Sequence, residues 1–150
     1  MFFMYNLLIY ILFPLILPYL ILKSIKRKGS LSGTSERLGF YPDKNIGNKK
    51  VIWIHAVSVG EVIASIPLVL ELKSRYPNYS LIMSTVTETG RATAINKIPF
   101  LNAIIYFPFD FAFSVNKAID TIRPNIFIML ETEIWPNFLK ALKRKNRFMA

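Results

Sequence analysis

Two glutamates follow apolar segments of this 150-residue chain, where a carboxylate can take part in acid–base chemistry. Glu61 comes after the apolar segment 51–54 and a turn of small residues that ends in Gly60. Glu131 comes directly after the apolar segment 126–130. A positioned carboxylate can take a proton from a reacting hydroxyl group in the transition state. The pattern therefore predicts chemistry carried by two carboxylates at two strand ends.

Each candidate also has an ordinary structural interpretation. In the first turn of a helix, Glu61 would gain about 0.3–1 kcal/mol from the helix dipole. A buried Glu131 would need an ion pair or an amide hydrogen bond, because an unpaired buried carboxylate is costly. We expect Glu133 to be a first-turn or N-cap partner of the next helix. The single histidine, His55, is expected to be a hydrogen-bonded residue of a buried strand.

The elements that must position these residues alternate along the chain. A continuous apolar run predicts a buried strand at 51–56, and further strands are predicted at 80–86, 103–107 and 126–130. Apolar residues at helical spacing predict helices at 61–75, 90–97, 114–122 and 136–144. Strands alternating with helices predict right-handed crossovers and an α/β, Rossmann-like parallel sheet with flanking helices. Ligands of such sheets bind at the carboxyl ends of the strands, where both glutamates fall.

Two other segments at this edge are polar or aromatic. The segment 85–90 is rich in threonine, but it lacks the glycine spacing of a phosphate-binding loop, so its hydroxyl groups are expected to cap a helix. The aromatic segment 107–109 and Trp135 are expected to pack in the core. The segment 35–39 is expected to be ordered and to include a short helix.

Charge is distributed unevenly, and the composition excludes several functions. The net charge is +10, yet residues 51–139 carry six basic and seven acidic side chains, which argues against a nucleic-acid-binding surface there. Residues 23–50 carry eight basic side chains against two acids, and residues 140–150 carry five basic side chains and no acid. The absence of cysteine excludes disulfides, thiolate zinc sites and a cysteine nucleophile, and one histidine cannot form a histidine metal cluster. We expect no metal and no cofactor.

The amino terminus predicts a membrane helix over residues 1–22. Residues 2–22 carry no charge, and about 20 apolar residues span a bilayer. The segment lacks the basic start and cleavage site of a signal peptide. Basic residues that follow it place the rest of the chain in the cytoplasm, and they would attract anionic lipids. A hairpin or an interfacial helix on the inner leaflet is the main alternative to a full span.

Several motifs in order resemble one family. They are Glu36–Tyr41, His55–Glu61, Ile66–Leu68, Thr85–Gly90, Phe107–Asp110, Arg123–Pro124 and Leu130–Asn137. Together they resemble the amino-terminal half of the 3-deoxy-D-manno-octulosonic acid (Kdo) transferases of lipopolysaccharide assembly. The resemblance implies an inverting glycosyltransferase of the GT-B fold, which transfers Kdo from CMP-Kdo to a hydroxyl group of a lipid A precursor at the bacterial inner membrane.

The resemblance also implies roles for residues. Glu61 corresponds to the general base, and Glu131 to a stabiliser of the transition state. The weaker candidates for substrate binding are Ser58, Gly60, Thr87, Gly90 and Arg37.

We therefore divide the chain into an anchor at 1–22, a basic juxtamembrane linker at 23–50 and a Rossmann-like acceptor domain at 51–150. The family continues with another buried strand after residue 146 and with a second domain that binds CMP, and we expect both to be missing. This predicts a truncated or split product, or a partial sequence, that is inactive alone. A separately encoded CMP-binding half is an expected partner. The alternative is a non-catalytic, membrane-tethered domain that binds anionic lipid or a partner subunit.

Overall fold

The computed structural model describes residues 4–14, 33–41, 49–131, 133–145 and 148–149. Five parallel strands form one sheet: β1 Val51–His55, β2 Ser80–Thr85, β3 Ala103–Tyr106, β4 Ile126–Met129 and β5 Phe148–Met149. The helices are α1 (residues 4–14), α2 Thr34–Arg37, α3 Val59–Arg75, α4 Glu88–Lys97, α5 Ala112–Ile122 and α6 Pro136–Arg144. The strand order is β3-β2-β1-β4-β5, so β1 is central.

The sheet is buried because β1 and β2 present apolar side chains to both faces. Trp53 packs with residues of α5 and α6 on one face. Ile52 and Ile54 pack with residues of α3 and α4 on the other. Each fully buried side chain of this size contributes about 1.5–3 kcal/mol relative to exposure. The predicted α/β, Rossmann-like fold is thereby confirmed.

One added strand and the starts of three helices differ from the sequence prediction. The chain returns to the sheet as β5, so the expected absence of a further strand after residue 146 was wrong. Helices α3, α4 and α5 each begin two residues earlier than predicted, at Val59, Glu88 and Ala112. As a result Glu61 lies within the first turn of α3 and does not begin the helix.

Helix α1 lies against the carboxyl edge of the domain. The Tyr5 hydroxyl donates a hydrogen bond to Asp110 at 2.8 Å, and the Phe13 ring packs edge-on against Phe111. Across the parts of the chain that the structure describes, no helix is long and apolar enough to cross a bilayer. Residues 1–3 and 15–22 of the predicted anchor lie outside the described residues.

Candidate active site at the carboxyl edge of the sheet

Glu61 occupies the third position of α3, and its carboxylate folds back over the start of the helix. Oε2 accepts from the Val57 amide at 2.8 Å. Oε1 accepts from the Ser58 amide at 3.2 Å and from the Ser58 hydroxyl at 3.0 Å. This is the capping arrangement that was the structural alternative for Glu61. A carboxylate has about four acceptor positions, so the half-buried Oε2 keeps capacity for a substrate hydroxyl group.

Ser58 and Gly60 belong to the same turn. Ser58 is the N-cap of α3, and its hydroxyl group fixes the rotamer of Glu61. A methyl group added at Gly60 would meet Ser58 Oγ at 4.0 Å and no nearer atom of the described residues. Packing within this part of the chain therefore does not require glycine at this exposed position.

Thr87 and Gly90 join the start of α4 to the β1–α3 turn. The Thr87 hydroxyl accepts from the Gly90 amide at 3.0 Å and donates to the Val57 carbonyl at 3.3 Å. A methyl group at Gly90 would approach Thr87 Oγ1 to 2.8 Å and the Val57 carbonyl to 3.4 Å. These two residues thus hold the turn that carries Glu61.

We expect Gly90→Ala to lower the free energy of unfolding by about 1–2 kcal/mol, because the new methyl group displaces the Thr87 cap. Urea unfolding of purified protein measures the change. Gly60→Ala is the matched control, since it lies in the first turn of α3 with open space around it and should be neutral or stabilising. Equal effects of the two substitutions would contradict this packing role.

Arg37 is the last residue of α2 and lies beside the carboxyl end of β3. Its guanidinium donates to the Val86 carbonyl at 2.5 Å and stacks on the Tyr106 ring with Cζ 4.5 Å from the centroid. Burial lowers its pKa below the usual value. Next to it, the buried carboxylate of Glu36 accepts two hydrogen bonds from Arg91, at 3.0 and 3.3 Å, and one from the Tyr106 amide at 2.8 Å. Two guanidinium groups thus flank one carboxylate.

Glu131 and Glu133 lie in the loop that leaves β4. Glu131 is exposed and lies two residues beyond the end of β4 at Met129, so the buried, paired carboxylate considered as its structural alternative is not found. Glu133, expected to be a first-turn or N-cap partner, instead accepts from Trp135 Nε1 at 2.9 Å and lies 3.4 Å from His55 Nε2. Sequence reasoning missed the contact between Glu133 and His55.

His55 ends β1 in a buried, aromatic environment. Its Nδ1 lies 2.9 Å from Ser84 Oγ, and its ring stacks on Phe107 with centroids 4.0 Å apart. Burial lowers the pKa of His55 below 6.5, against the opposing effects of Glu133 and Glu61. The imidazole is therefore neutral near pH 7, as expected for a hydrogen-bonded core histidine.

Stability is expected to fall on mild acidification because of His55. Below about pH 6.5 an unfolded histidine binds a proton, whereas the folded ring takes one only at lower pH. Folding then releases a proton, so the free energy of unfolding decreases as the pH is lowered, by at most about 1.4 kcal/mol per pH unit. Urea unfolding between pH 7.5 and 5.5, compared with His55→Gln, isolates this contribution. The same pH slope in both proteins would refute it.

Asp110 lies in the segment after β3 and is hydrogen-bonded to the start of α6. Its Oδ2 accepts from the Asn137 amide at 3.0 Å and its Oδ1 from the Phe138 amide at 2.8 Å, so it caps α6 from a distant segment. The Asn137 side chain bonds the Asp110 carbonyl at 2.6 Å and Asn6 of α1 at 2.6 Å. One buried network therefore joins α1, α6 and the segment after β3.

The described residues contain no group of three or more His, Cys, Asp or Glu side chains that could hold a metal ion. The polar groups at this edge of the described residues include carboxylates, hydroxyl groups and guanidinium groups.

Glutamates follow two adjacent parallel strands of this Rossmann-like domain, β1 and β4, at the edge where α/β domains of this class bind their ligands. A profile of the family described as "3-Deoxy-D-manno-octulosonic-acid transferase (kdotransferase)" matches residues 32–150. The chain belongs to this family of glycosyltransferases, and the resemblance seen in the motifs is confirmed.

Known proteins give the same assignment. The chain is 38% identical over 146 residues to the 3-deoxy-D-manno-octulosonic acid transferase of Haemophilus influenzae, covering 96% of this chain and 34% of that protein. It is 34% identical over 104 residues to the bifunctional glycosyltransferase/methyltransferase of Fusobacterium nucleatum, with 68% and 16% covered. A probable mitochondrial 3-deoxy-D-manno-octulosonic acid transferase of Arabidopsis thaliana is 28% identical over 138 residues, with 92% and 31% covered. The chain spans about a third of the length of the first and third of these relatives.

Proposed function

We propose that this chain is the acceptor-binding, amino-terminal region of an inverting GT-B Kdo transferase. The observation that carries the proposal is the place of Glu61, at the carboxyl end of the central strand, with one acceptor position left on Oε2. Family membership gives this carboxylate a substrate class, and its rigid capping geometry gives it a fixed direction.

In the proposed reaction, Glu61 takes the proton of an acceptor hydroxyl group. The hydroxyl oxygen forms the new bond to the anomeric carbon of Kdo, and the bond from that carbon to the phosphate of CMP breaks. Attack opposite the leaving group inverts the anomeric centre. Glu131, which is exposed beside β4, stabilises the positive charge that develops on the sugar. The donor site belongs to a second, CMP-binding region.

The acceptor is proposed to be a phosphorylated lipid A precursor at the cytoplasmic face of the inner membrane. Helix α1 supports this, because its apolar side chains away from the domain are strongly exposed; they are Met4, Leu7, Leu8, Ile11 and Leu12. An exposed apolar helix face beside a basic segment is typical of membrane attachment. In this proposal residues 1–22 form the anchor, and the basic residues of 23–50 meet anionic lipid. Gly60 leaves space for the lipid sugar beside Glu61.

A transfer assay tests the proposal. Protein that contains this chain together with a CMP-binding region should move Kdo from CMP-Kdo to a bis-phosphorylated lipid A precursor in detergent, whereas the 150-residue chain alone should not. Mass spectrometry of the lipid measures the product. Failure of the two regions together would overturn the proposal. Salt-sensitive vesicle binding that persists in Glu61→Gln and Glu131→Gln proteins without any transfer would support the non-catalytic alternative.

A further inference from the structure

A chain of hydrogen bonds crosses the carboxyl edge of the sheet beneath the loop that bears Glu131. It begins at Trp53, whose indole N–H can only donate and lies 2.8 Å from Ser84 Oγ. Because Ser84 accepts this bond, its own proton is available to His55 Nδ1 at 2.9 Å. His55 Nδ1 also lies 3.3 Å from the Ser84 carbonyl oxygen, so the direction of the Ser84–His55 contact depends on which imidazole nitrogen carries the proton.

The Glu133 carboxylate sets the tautomer of His55, because it can only accept a hydrogen bond and therefore favours a proton on Nε2. An imidazole that accepts at Nδ1 carries its proton on Nε2 when it is neutral. Nε2 lies 3.4 Å from Glu133 Oε2, and an ionised carboxylate can only accept. Trp135 Nε1 donates to the same oxygen at 2.9 Å. Every donor along the path thus meets an acceptor, and the path ends on one carboxylate.

The position of Glu133 gives this path a consequence for the site. Glu133 lies two residues after Glu131, and its amide donates to the Glu131 carbonyl at 2.8 Å. Trp135 lies directly before Pro136, the first residue of α6. Glu133 is hydrogen-bonded to His55 at the end of β1 and to Trp135 at the start of α6. These two bonds restrain the loop that carries the exposed Glu131.

We propose that Glu133 is a positioning residue: through its bonds to His55 and Trp135 it fixes the loop that presents Glu131 beside the Glu61 turn. The role of Glu131 in sugar transfer rests on the proposed function, whereas the bonding of Glu133 does not. The charged groups that act on His55 are Glu133, which it contacts, and Glu61, which acts on it only through its charge.

Nuclear magnetic resonance of the full ¹⁵N-labelled chain tests the positioning. Its two tryptophans give two indole N–H signals, and the buried Trp53 signal is an internal reference. Glu133→Ala should speed hydrogen exchange of the Trp135 indole at least tenfold and leave Trp53 within twofold. Glu131→Ala is the matched control and should change neither signal. Unchanged exchange of Trp135 in Glu133→Ala would overturn the proposal.

Two further variants keep the test valid if Glu133→Ala perturbs the fold. Glu133→Gln retains an acceptor oxygen and should keep Trp135 exchange within threefold of the wild type. His55→Gln can still donate toward Glu133, whereas the shorter His55→Asn cannot, so only the asparagine variant should speed Trp135 exchange. Equal exchange rates in the two histidine variants would contradict the proposed path.

An activity measurement separates this inference from the proposed function. In a transferase that contains these residues, Glu133→Ala should lower kcat at least tenfold with little change in the KM for CMP-Kdo, and Glu133→Gln should restore most of it. A KM effect without a kcat effect would assign Glu133 to substrate binding and overturn the positioning role. If the wild-type protein transfers no Kdo, the proposed function fails, and the exchange experiment still decides the role of Glu133.

Discussion

Replacing Glu61 by glutamine in a transferase that contains these residues is expected to lower kcat by about 10²–10⁴-fold, the usual contribution of a general base. The glutamine amide cannot take the proton of the acceptor hydroxyl group. Its carbonyl oxygen can still accept from the Ser58 amide, because glutamine also serves at the third position of a capping box. Initial rates of Kdo transfer at saturating CMP-Kdo measure the loss.

The matched control is Glu71→Gln on the same helix. Glu71 is exposed and pairs with Arg75 one turn away, a surface pair worth about 0.3–0.5 kcal/mol. It should leave kcat unchanged. Urea unfolding of the Glu61→Gln protein should show a loss of no more than about 1 kcal/mol, since the cap survives in part. Activity within threefold of the wild type would remove Glu61 from the role of base.

Much of the fold could be predicted from the sequence because the strands are buried on both faces. A segment such as 51–54 is apolar throughout only when both sides of the strand are covered, and β1 is covered on both. The starts of the helices were less predictable. Three threonines lie within 85–89, and only the three-dimensional packing against Val57 selects Thr87 as the cap of α4.

The candidate site was predictable residue by residue but not as a set of contacts. Glu61 was expected in a first helical turn, and there it lies. The contact between His55 and Glu133 joins residues 78 positions apart and depends on the register of β1 with β4, which sets His55 beside Met129. No local spacing encodes that register. Once it is known, Glu133 becomes the first carboxylate of the loop that can reach back to the imidazole.

The second large effect concerns Asp110, which the sequence analysis named only as the last residue of the motif Phe107–Asp110. Its carboxylate satisfies the Asn137 and Phe138 amides at the start of α6, and it accepts from the Tyr5 hydroxyl of α1. Burial raises its pKa above the usual 3.8, and the amide and hydroxyl donors oppose that shift. The residue therefore connects three segments through one ionisable group.

We expect Asp110→Asn to lower the free energy of unfolding by about 2–4 kcal/mol, because the helix cap is lost and a buried amide N–H is left without an acceptor. The new amide group presents a donor to another donor, whichever way it is turned. Urea unfolding measures the loss. A second variant measures the contribution of the hydrogen bond from α1. Tyr5→Phe removes one of the three hydrogen bonds to the Asp110 carboxylate and should cost about 1 kcal/mol.

Asp120→Asn is the matched control, since Asp120 is exposed on α5 and pairs with Lys145. Its effect should stay within about 0.5 kcal/mol. A similar loss in the two variants would show that α6 does not depend on the Asp110 cap. A large loss confined to Asp110 would show that the segments ending in Asp110 and Asn137 depend on each other, because each supplies a hydrogen-bond partner to a buried group of the other. Because α6 starts where the Glu131 loop ends, the cap also sets the second fixed point of that loop.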